Sequence, residues 1–311
     1  MKNANAFKSF LSDEINLNQN RIDTLEQKIE SIKTLLKESY EDYIKVEKQG
    51  SYAMHTIIKP VRNTDEFDAD LLIYIKEDQN KEPKDYINNL YKFFENNKNY
   101  SHLVIKNTRC VTLNYKGDFH LDLVPCIKKG DNTYIFNSKD NIFEETDGTG
   151  YREWLEEQTK ITNGELKRVT RLMKFMRDHK SNFSVKSILL TTLLGNTISS
   201  IPENYFNDTP SAFYHIFKDL NQFLQNNQTM PKVKNPVLPN EDFNRNWDEN
   251  KYNNFREKIN IYFTKIEDAY NDLDHNSSIK KWRKIFGDNF GKLQEPHQPR
   301  KINTRKPYCP R

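Results

Sequence analysis

The segment Asp65–Ile75 reads DEFDADLLIYI. Leu71–Ile75 is apolar and rich in β-formers, so a strand is expected there. Asp68 and Asp70 stand just ahead of that run. Along a strand, residues i and i+2 point to the same face, so this spacing sets two carboxylates side by side. Further on, Phe119–Ile127 (FHLDLVPCI) carries Asp122 between Leu121 and Leu123. If the two strands lie together, three carboxylates share one place. Like charges held together repel, and burying them is costly. A divalent cation resolves the conflict. Oxygen-only ligation suits Mg²⁺, which keeps waters and substrate phosphates in its remaining positions. The bland alternative is a solvated DxD and an Asp122 that faces solvent in an alternating strand.

Upstream, a strand-like Tyr43–Gln49 (YIKVEKQ) runs into Gly50-Ser51. A Gly-Ser turn lets backbone N–H groups and a hydroxyl approach a phosphate closely. Alone it is most often just a turn. Ahead of it, Ile22, Leu25, Ile29, Ile32 and Leu36 recur at alternating steps of three and four, which predicts an amphipathic helix over 18–39 packed on the chain's own core. Pro83 opens a helix bearing Tyr86, Ile87, Leu90, Tyr91, Phe93 and Phe94, whose Tyr and Phe are read as core and not as a base-stacking platform. Cys110–Tyr115 and Phe119–Ile127 flank Lys116-Gly117-Asp118, a hairpin turn. After about residue 150 strand signals fade. Trp154–Asp178, Val185–Leu194 and Phe255–Tyr270 all have helical spacing. The expected organisation is α+β, with a catalytic lobe over 1–162 that includes the long N-terminal helix. A helical lobe follows over 163–293, and a basic, Pro-rich flexible tail over 294–311.

The composition closes off other classes. Of 311 residues, 19 are Phe and 16 Tyr, enough aromatic mass to argue against a disordered chain. No run approaches ~18 consecutive apolar residues, and the N-terminus lacks an apolar signal core, so a cytoplasmic protein is expected. The cysteines, Cys110, Cys126 and Cys309, are widely spaced and odd in number, which supports neither a zinc ribbon nor a disulfide framework. A net charge of +4, from 48 basic and 44 acidic residues, is too near balance to argue for nucleic-acid binding.

The order GSYAMHT, DEFDADLLIYI, FHLDLVPCI resembles the nucleotidyltransferases of the DNA-polymerase-β-like superfamily. More narrowly, it is similar to the bacterial cyclic-oligonucleotide synthases of anti-phage signalling systems. In the second half, Arg171-Leu172-Met173-Lys174 and Val185-Lys186-Ser187-Ile188-Leu189-Leu190 resemble the helices that contact the donor triphosphate. Lys281–Phe290 resembles the Trp, Phe-Gly, Phe segment that closes many of these proteins. The resemblance implies a mixed-sheet lobe beside a helical one, and Asp68 and Asp70 binding two Mg²⁺ ions, for which Mn²⁺ can substitute. Asp122 completes the metal site and helps activate the attacking ribose hydroxyl. Gly50 and Ser51 hold the β- and γ-phosphates. Lys174 and Ser187, and less centrally Arg171 and Lys186, reach the triphosphate. The implied activity joins NTPs into a cyclic di- or trinucleotide that acts on a separate effector, with a regulatory protein as a further partner. The family's aromatic after the helix serine is replaced here by Ile188, so base stacking must come from elsewhere.

Other residues have plainer readings. His120 shares a strand face with Asp122 and is read as a structural or surface histidine. Asp65 and Glu66 are read as solvated loop, Cys126 as core, and Trp154 and Trp282 as packing. Two rival functions stand: a linear nucleotidyltransferase acting on RNA, protein or a small molecule, and a silent nucleotide- or RNA-binding module, against which all three carboxylates and the Gly-Ser pair count.

Overall fold

A computed structural model describes residues 3–62, 66–198 and 201–295. Asp65, Cys309 and nearly all of the 294–311 tail lie outside the described residues. The long helix expected near the N-terminus is α2, Gln19–Ser39; α1, Ala4–Phe10, precedes it and runs into a π-helical turn, Leu11–Ile15. The Asn18 side chain caps α2 by accepting the Arg21 N–H at 2.9 Å. The helix buries Leu25, Ile29, Ile32 and Leu36, the stripe that the three-four spacing marked.

Seven strands form one mixed sheet: β1 (Tyr43–Gln49), β2 (Phe67–Ile75), β3 (Val104–Lys106), β4 (Val111–Tyr115), β5 (Phe119–Lys129), β6 (Asn132–Asn137) and β7 (Ile142–Thr146). Their path is β1-β2-β5-β4-β3, with β6 on β5 and β7 on β6. Among the described residues only β2 and β5 pair in parallel. The Gly-Ser pair opens a one-turn helix, α3 (Gly50–Ala53), between β1 and β2. Alternation sorts the two faces of the sheet. Phe67, Ala69, Leu71, Ile73 and Ile75 of β2 join Leu121 and Leu123 of β5 in a core covered by α2 and by α4 (Pro83–Glu95). Asp68, Asp70 and Asp122 therefore project from the other face.

That other face meets the helical half: α5 (Gly148–Ile161), α6 (Glu165–Lys180), α7 (Ser187–Asn196), α8 (Thr209–Asn226), α9 (Glu249–Asn271) and α10 (His275–Phe286). The helical stretch read from Trp154 to Asp178 is two helices. They break at Asn163-Gly164, where φ is 50° and 85°. Packing also cuts across the chain-order boundary at 162. Phe7, Phe10, Leu11 and Ile15 belong to the helical core, as do Tyr151 and Leu155. Phe7 meets Trp282 edge-on at 4.9 Å and Phe290 at 5.0 Å, so the start of the chain is clasped by its far end. Periodicity identifies a helix and its apolar side; it does not say which core that side joins. Trp282 and Cys126 are buried, and Tyr86 stacks on Phe136 at 4.2 Å. No helix among the described residues is long and apolar enough to cross a membrane.

Candidate active site

Strand register lines up the site. Gln49 of β1 pairs with Asp70 of β2, Asp70 with Asp122 of β5, and Asp122 with Thr112 of β4. Four side chains thus form a row across four strands, with Asp68 one pleat further along on the same face. Asp68 is exposed; Asp70 and Asp122 are half-buried. Thr112 is buried and its hydroxyl donates to Asp122 Oδ1, while Asn107 Nδ2 donates to Thr112 Oγ1 at 2.7 Å.

The chain reaches Asp70 at one place. Gly50 has φ +67°, and a Cβ there would stand 2.0 Å from Asp70 Oδ2. Only glycine accepts both the left-handed backbone and the contact. Beyond it the Ser51 carbonyl accepts the N–H groups of Thr56 at 2.9 Å and Ile57 at 3.1 Å, folding residues 51–57 into a tight loop.

Although part of Asp68 reaches the surface, the packing that strips water from its carboxyl, and next the Asp122 charge, push that carboxyl above its ordinary range. Burial, then Asp122, then Asp68, push Asp70 up to about 7, with only Lys174 pulling the other way. The three carboxylates sit in one repulsive field, which favours a cation among them. Among the described residues, no three His, Cys, Asp or Glu side chains converge into a ready-made metal centre. The donor set is nevertheless all oxygen, and Mg²⁺ needs only a few protein carboxylates beside substrate phosphates. The Oε1 of Gln49, at the head of the row, is buried without a hydrogen-bond partner. The residues fit a divalent ion whose shell is completed by waters and substrate.

The opposing wall comes from α6 and α7. Lys174 is buried, and its Nζ donates to the Thr56 carbonyl at 2.9 Å and to Thr56 Oγ1 at 3.3 Å. Burial, then the Arg177 charge, lower its pKa to about 7. Arg171 donates to the His55 carbonyl at 3.2 Å, and its Nε is buried without a partner. Arg177 donates to Ser187 Oγ at 3.1 Å and to the Val185 carbonyl at 2.9 Å, and forms an ion pair with Asp178 at 2.7 Å. Lys186 is exposed at the N-cap of α7.

Between the walls lies a cleft of about 1220 Å³, lined by Gln49, Gly50, Asp68, Arg177, Lys186 and Ser187 among others. A neighbouring 350 Å³ hollow is lined by Ser51, Asp68, Lys174, Arg177 and Ser187. Gly50, Asp68, Lys186 and Ser187 thus line the cleft, while Ser51 and Lys174 line the hollow beside it, the two spaces sharing Asp68, Arg177 and Ser187. Asp70 and Asp122 stand behind that lining, and Arg171 braces the loop from outside it. Arg177, which lines both spaces, escaped the sequence reading although it continues the step of three from Arg171 through Lys174 on one helix. Gln49 and Thr112 were also missed; only strand register reveals them. His120 turns to Glu66, which also accepts the Gly117 N–H at 2.5 Å. Glu66 is therefore tied to the β4–β5 turn and the start of β5, not loose in solvent. Its pKa is lowered, by that N–H first and by His120 next.

Comparisons with known proteins give the family and the fold. The family model for the Second Messenger Oligonucleotide or Dinucleotide Synthetase domain matches residues 1–159. The chain belongs to this family. Like the family, it is a nucleotidyltransferase and a synthase of cyclic oligonucleotides. A c-di-GMP synthase of Roseivirga ehrenbergii is 28% identical over 283 residues, 80% of this chain and 72% of that one. A cyclic AMP-AMP-AMP synthase of Acinetobacter sp. is 23% identical over 257 residues, 78% and 71% of the two chains. Among solved structures, CdnC of E. coli MS115-1 with ATP superposes with a TM-score of 0.73 at 19% identity, covering 94% of this chain and 99% of that one. The same CdnC in complex with HORMA-deltaN gives 0.72 at 18% identity, covering 93% and 98%. These likenesses confirm the mixed-sheet and helical architecture of the synthetase.

Proposed function

We propose that the cleft between the sheet and α6–α7 is the site where NTPs are joined, and that Asp68, Asp70 and Asp122 are its catalytic carboxylates. The catalytic lobe is then the sheet with α2 and α4. The helical lobe takes α1, the π-helical turn and α5 onward. The observation that carries this reading is the parallel register of β2 and β5, which sets Asp70 opposite Asp122 with Asp68 on the same face at the cleft. Asp68, Asp70 and Asp122 would hold Mg²⁺ ions, with Mn²⁺ as a substitute. When bound, they supply charge neutralisation at the donor phosphates and at the ionising hydroxyl. Asp122 accepts the proton side of a ribose 2′- or 3′-hydroxyl and orients its oxygen toward the donor α-phosphorus. The new O–P bond forms as the bond to pyrophosphate breaks. Gly50 and Ser51 approach the β- and γ-phosphates without side-chain bulk. Lys174, Arg177, Ser187 and Lys186 face them from the helical wall, and Arg171 steadies the loop at His55.

The cleft exceeds the ~300–1,000 Å³ usual for one small ligand, which supports occupancy by more than one nucleotide. Repetition and ring closure then give a cyclic di- or trinucleotide, which would act on a separate effector in anti-phage signalling. A regulatory protein is a further expected partner, given the CdnC:HORMA-deltaN complex.

The test is direct. The purified protein is incubated with the four NTPs and Mg²⁺ or Mn²⁺, treated with phosphatase, and the products read by mass spectrometry. A phosphatase-resistant di- or trinucleotide, absent from the Asp68→Ala/Asp70→Ala variant, is expected. A product that phosphatase degrades would indicate linear transfer, and full activity in the double variant would overturn the site.

A further inference from the structure

We propose that Thr112, polarised by Asn107, is a positioning residue that aims the Asp122 carboxylate at the reacting hydroxyl. The inference rests on the role of Asp122 proposed above. Thr112 stands directly across from Asp122 in the β4–β5 register. Its neighbours Val111 and Leu113 belong to the apolar core, so alternation turns Thr112 to the carboxylate face, and there it is only 4% exposed.

The direction of the hydrogen bonds follows from the chemistry of the groups. A threonine hydroxyl has one proton to donate and can also accept. An ionised carboxylate can only accept. Asn107 Nδ2 donates to Thr112 Oγ1 at 2.7 Å, so the hydroxyl proton is committed to Asp122 Oδ1. Reversing the Asn107 amide would leave a single Thr112 proton between two acceptors, so the chain holds together in one polarity only. Asn107 is itself fixed: its backbone N–H bonds the Cys110 carbonyl at 3.0 Å, closing the turn between β3 and β4. The Cys110 thiol, 3.8 Å from both Asn107 Nδ2 and Thr112 Oγ1, completes the small cluster.

A hydroxyl in this place does something that a lysine or arginine would not. It holds one carboxylate oxygen in direction while leaving the negative charge of Asp122 uncompensated and available. Partners that orient a metal-ligating group commonly matter by about 10–100-fold in metal affinity or activity. A merely structural Thr112 would affect melting temperature alone.

The full-length protein separates these readings through Thr112→Val, Thr112→Ser and Asn107→Ala, measured by pyrophosphate release and by Mn²⁺ binding in electron paramagnetic resonance with a non-hydrolysable ATP analogue. Thr112→Val should lose about 10–100-fold in kcat, in Mn²⁺ affinity, or in both, with the KM for NTP little changed. Thr112→Ser should recover most of the loss. Asn107→Ala, altered at an exposed residue that leaves the core intact, should show a smaller loss of the same kind and decides the matter if Thr112→Val does not fold. Wild-type kcat and Mn²⁺ affinity in Thr112→Val, or a Thr112→Ser variant as impaired as Thr112→Val, would overturn the inference. A wild-type protein that neither turns over NTPs nor binds Mn²⁺ would remove the active-site reading itself, and this one with it.

Discussion

Asp70 and Asp122 lie side by side because two neighbouring strands are in register, while Lys174 reaches the hollow beside the cleft from 118 residues beyond its partner Thr56. The sheet wall of the cleft is ordered by pleat and hydrogen-bond ladder. Its polar groups are crowded, like-charged and short of counter-ions. The helical wall is ordered by packing, and its basic groups are already engaged, Lys174 and Arg171 with loop carbonyls and Arg177 with Asp178 and Ser187. One wall holds unspent negative charge, and the other spends part of its positive charge on closing the loop after Gly50. The carboxylate wall should therefore respond steeply to small displacements, and the basic wall more gently, because its bonds can be exchanged for phosphate oxygens.

The largest expected effect belongs to Gly50→Ala. The left-handed backbone disfavours a Cβ by about 1–2 kcal/mol, and that atom would collide with Asp70 Oδ2. Displacing a reacting group by about 1 Å can cost on the order of 100-fold. A loss of kcat of about that size, with unchanged circular dichroism, is expected; near-wild-type turnover would show that Asp70 needs no fixed position. Next comes Lys174→Met, which removes the buried ammonium and its bonds to Thr56. The KM for the donor NTP should rise about 10-fold, and the unpaired Thr56 carbonyl should cost about 1–3 kcal/mol of stability. Lost stability at constant KM would make Lys174 a strap only. Lys186→Ala, at an exposed N-cap, should change KM by no more than about threefold, in keeping with the modest worth of a solvated charge.

A fourth prediction concerns stability. Asp70 has its pKa raised to about 7 in the fold. Between the unfolded value and that one, the native state binds the extra proton, so stability from this group falls as pH rises and levels off above about 7. In EDTA, Asp70→Asn should therefore melt higher than wild type, with a margin that grows from about pH 5 to about pH 7. Saturating Mn²⁺ should narrow it. A variant no more stable than wild type across that range would mean that neither burial nor the neighbouring carboxylates penalise the Asp70 charge.

What could be read in the sequence follows the same division. The strands around Asp68 and Asp122, the KGD hairpin, the α2 stripe and the glycine before the loop are local patterns, and the fold uses each as read. Tertiary placement was not legible. Nothing local says that Phe7 and Phe10 pack beside Trp282 and Phe290 in the helical core, or that Lys174 is buried against Thr56. Gln49 and Thr112 entered only through register, because an ordinary polar residue inside a strand carries no mark of what lies across from it. Arg177 was available as the third member of a basic step on α6, but a charge run on a helix reads first as a solvated face.

The most direct test of the central claim is anomalous diffraction from crystals grown with Mn²⁺ and a non-hydrolysable NTP. The account predicts manganese peaks at Asp68, Asp70 and Asp122, with the triphosphate between Gly50-Ser51 and the α6–α7 wall. Manganese bound elsewhere, with the three aspartates free of metal and the nucleotide away from Gly50, would contradict it.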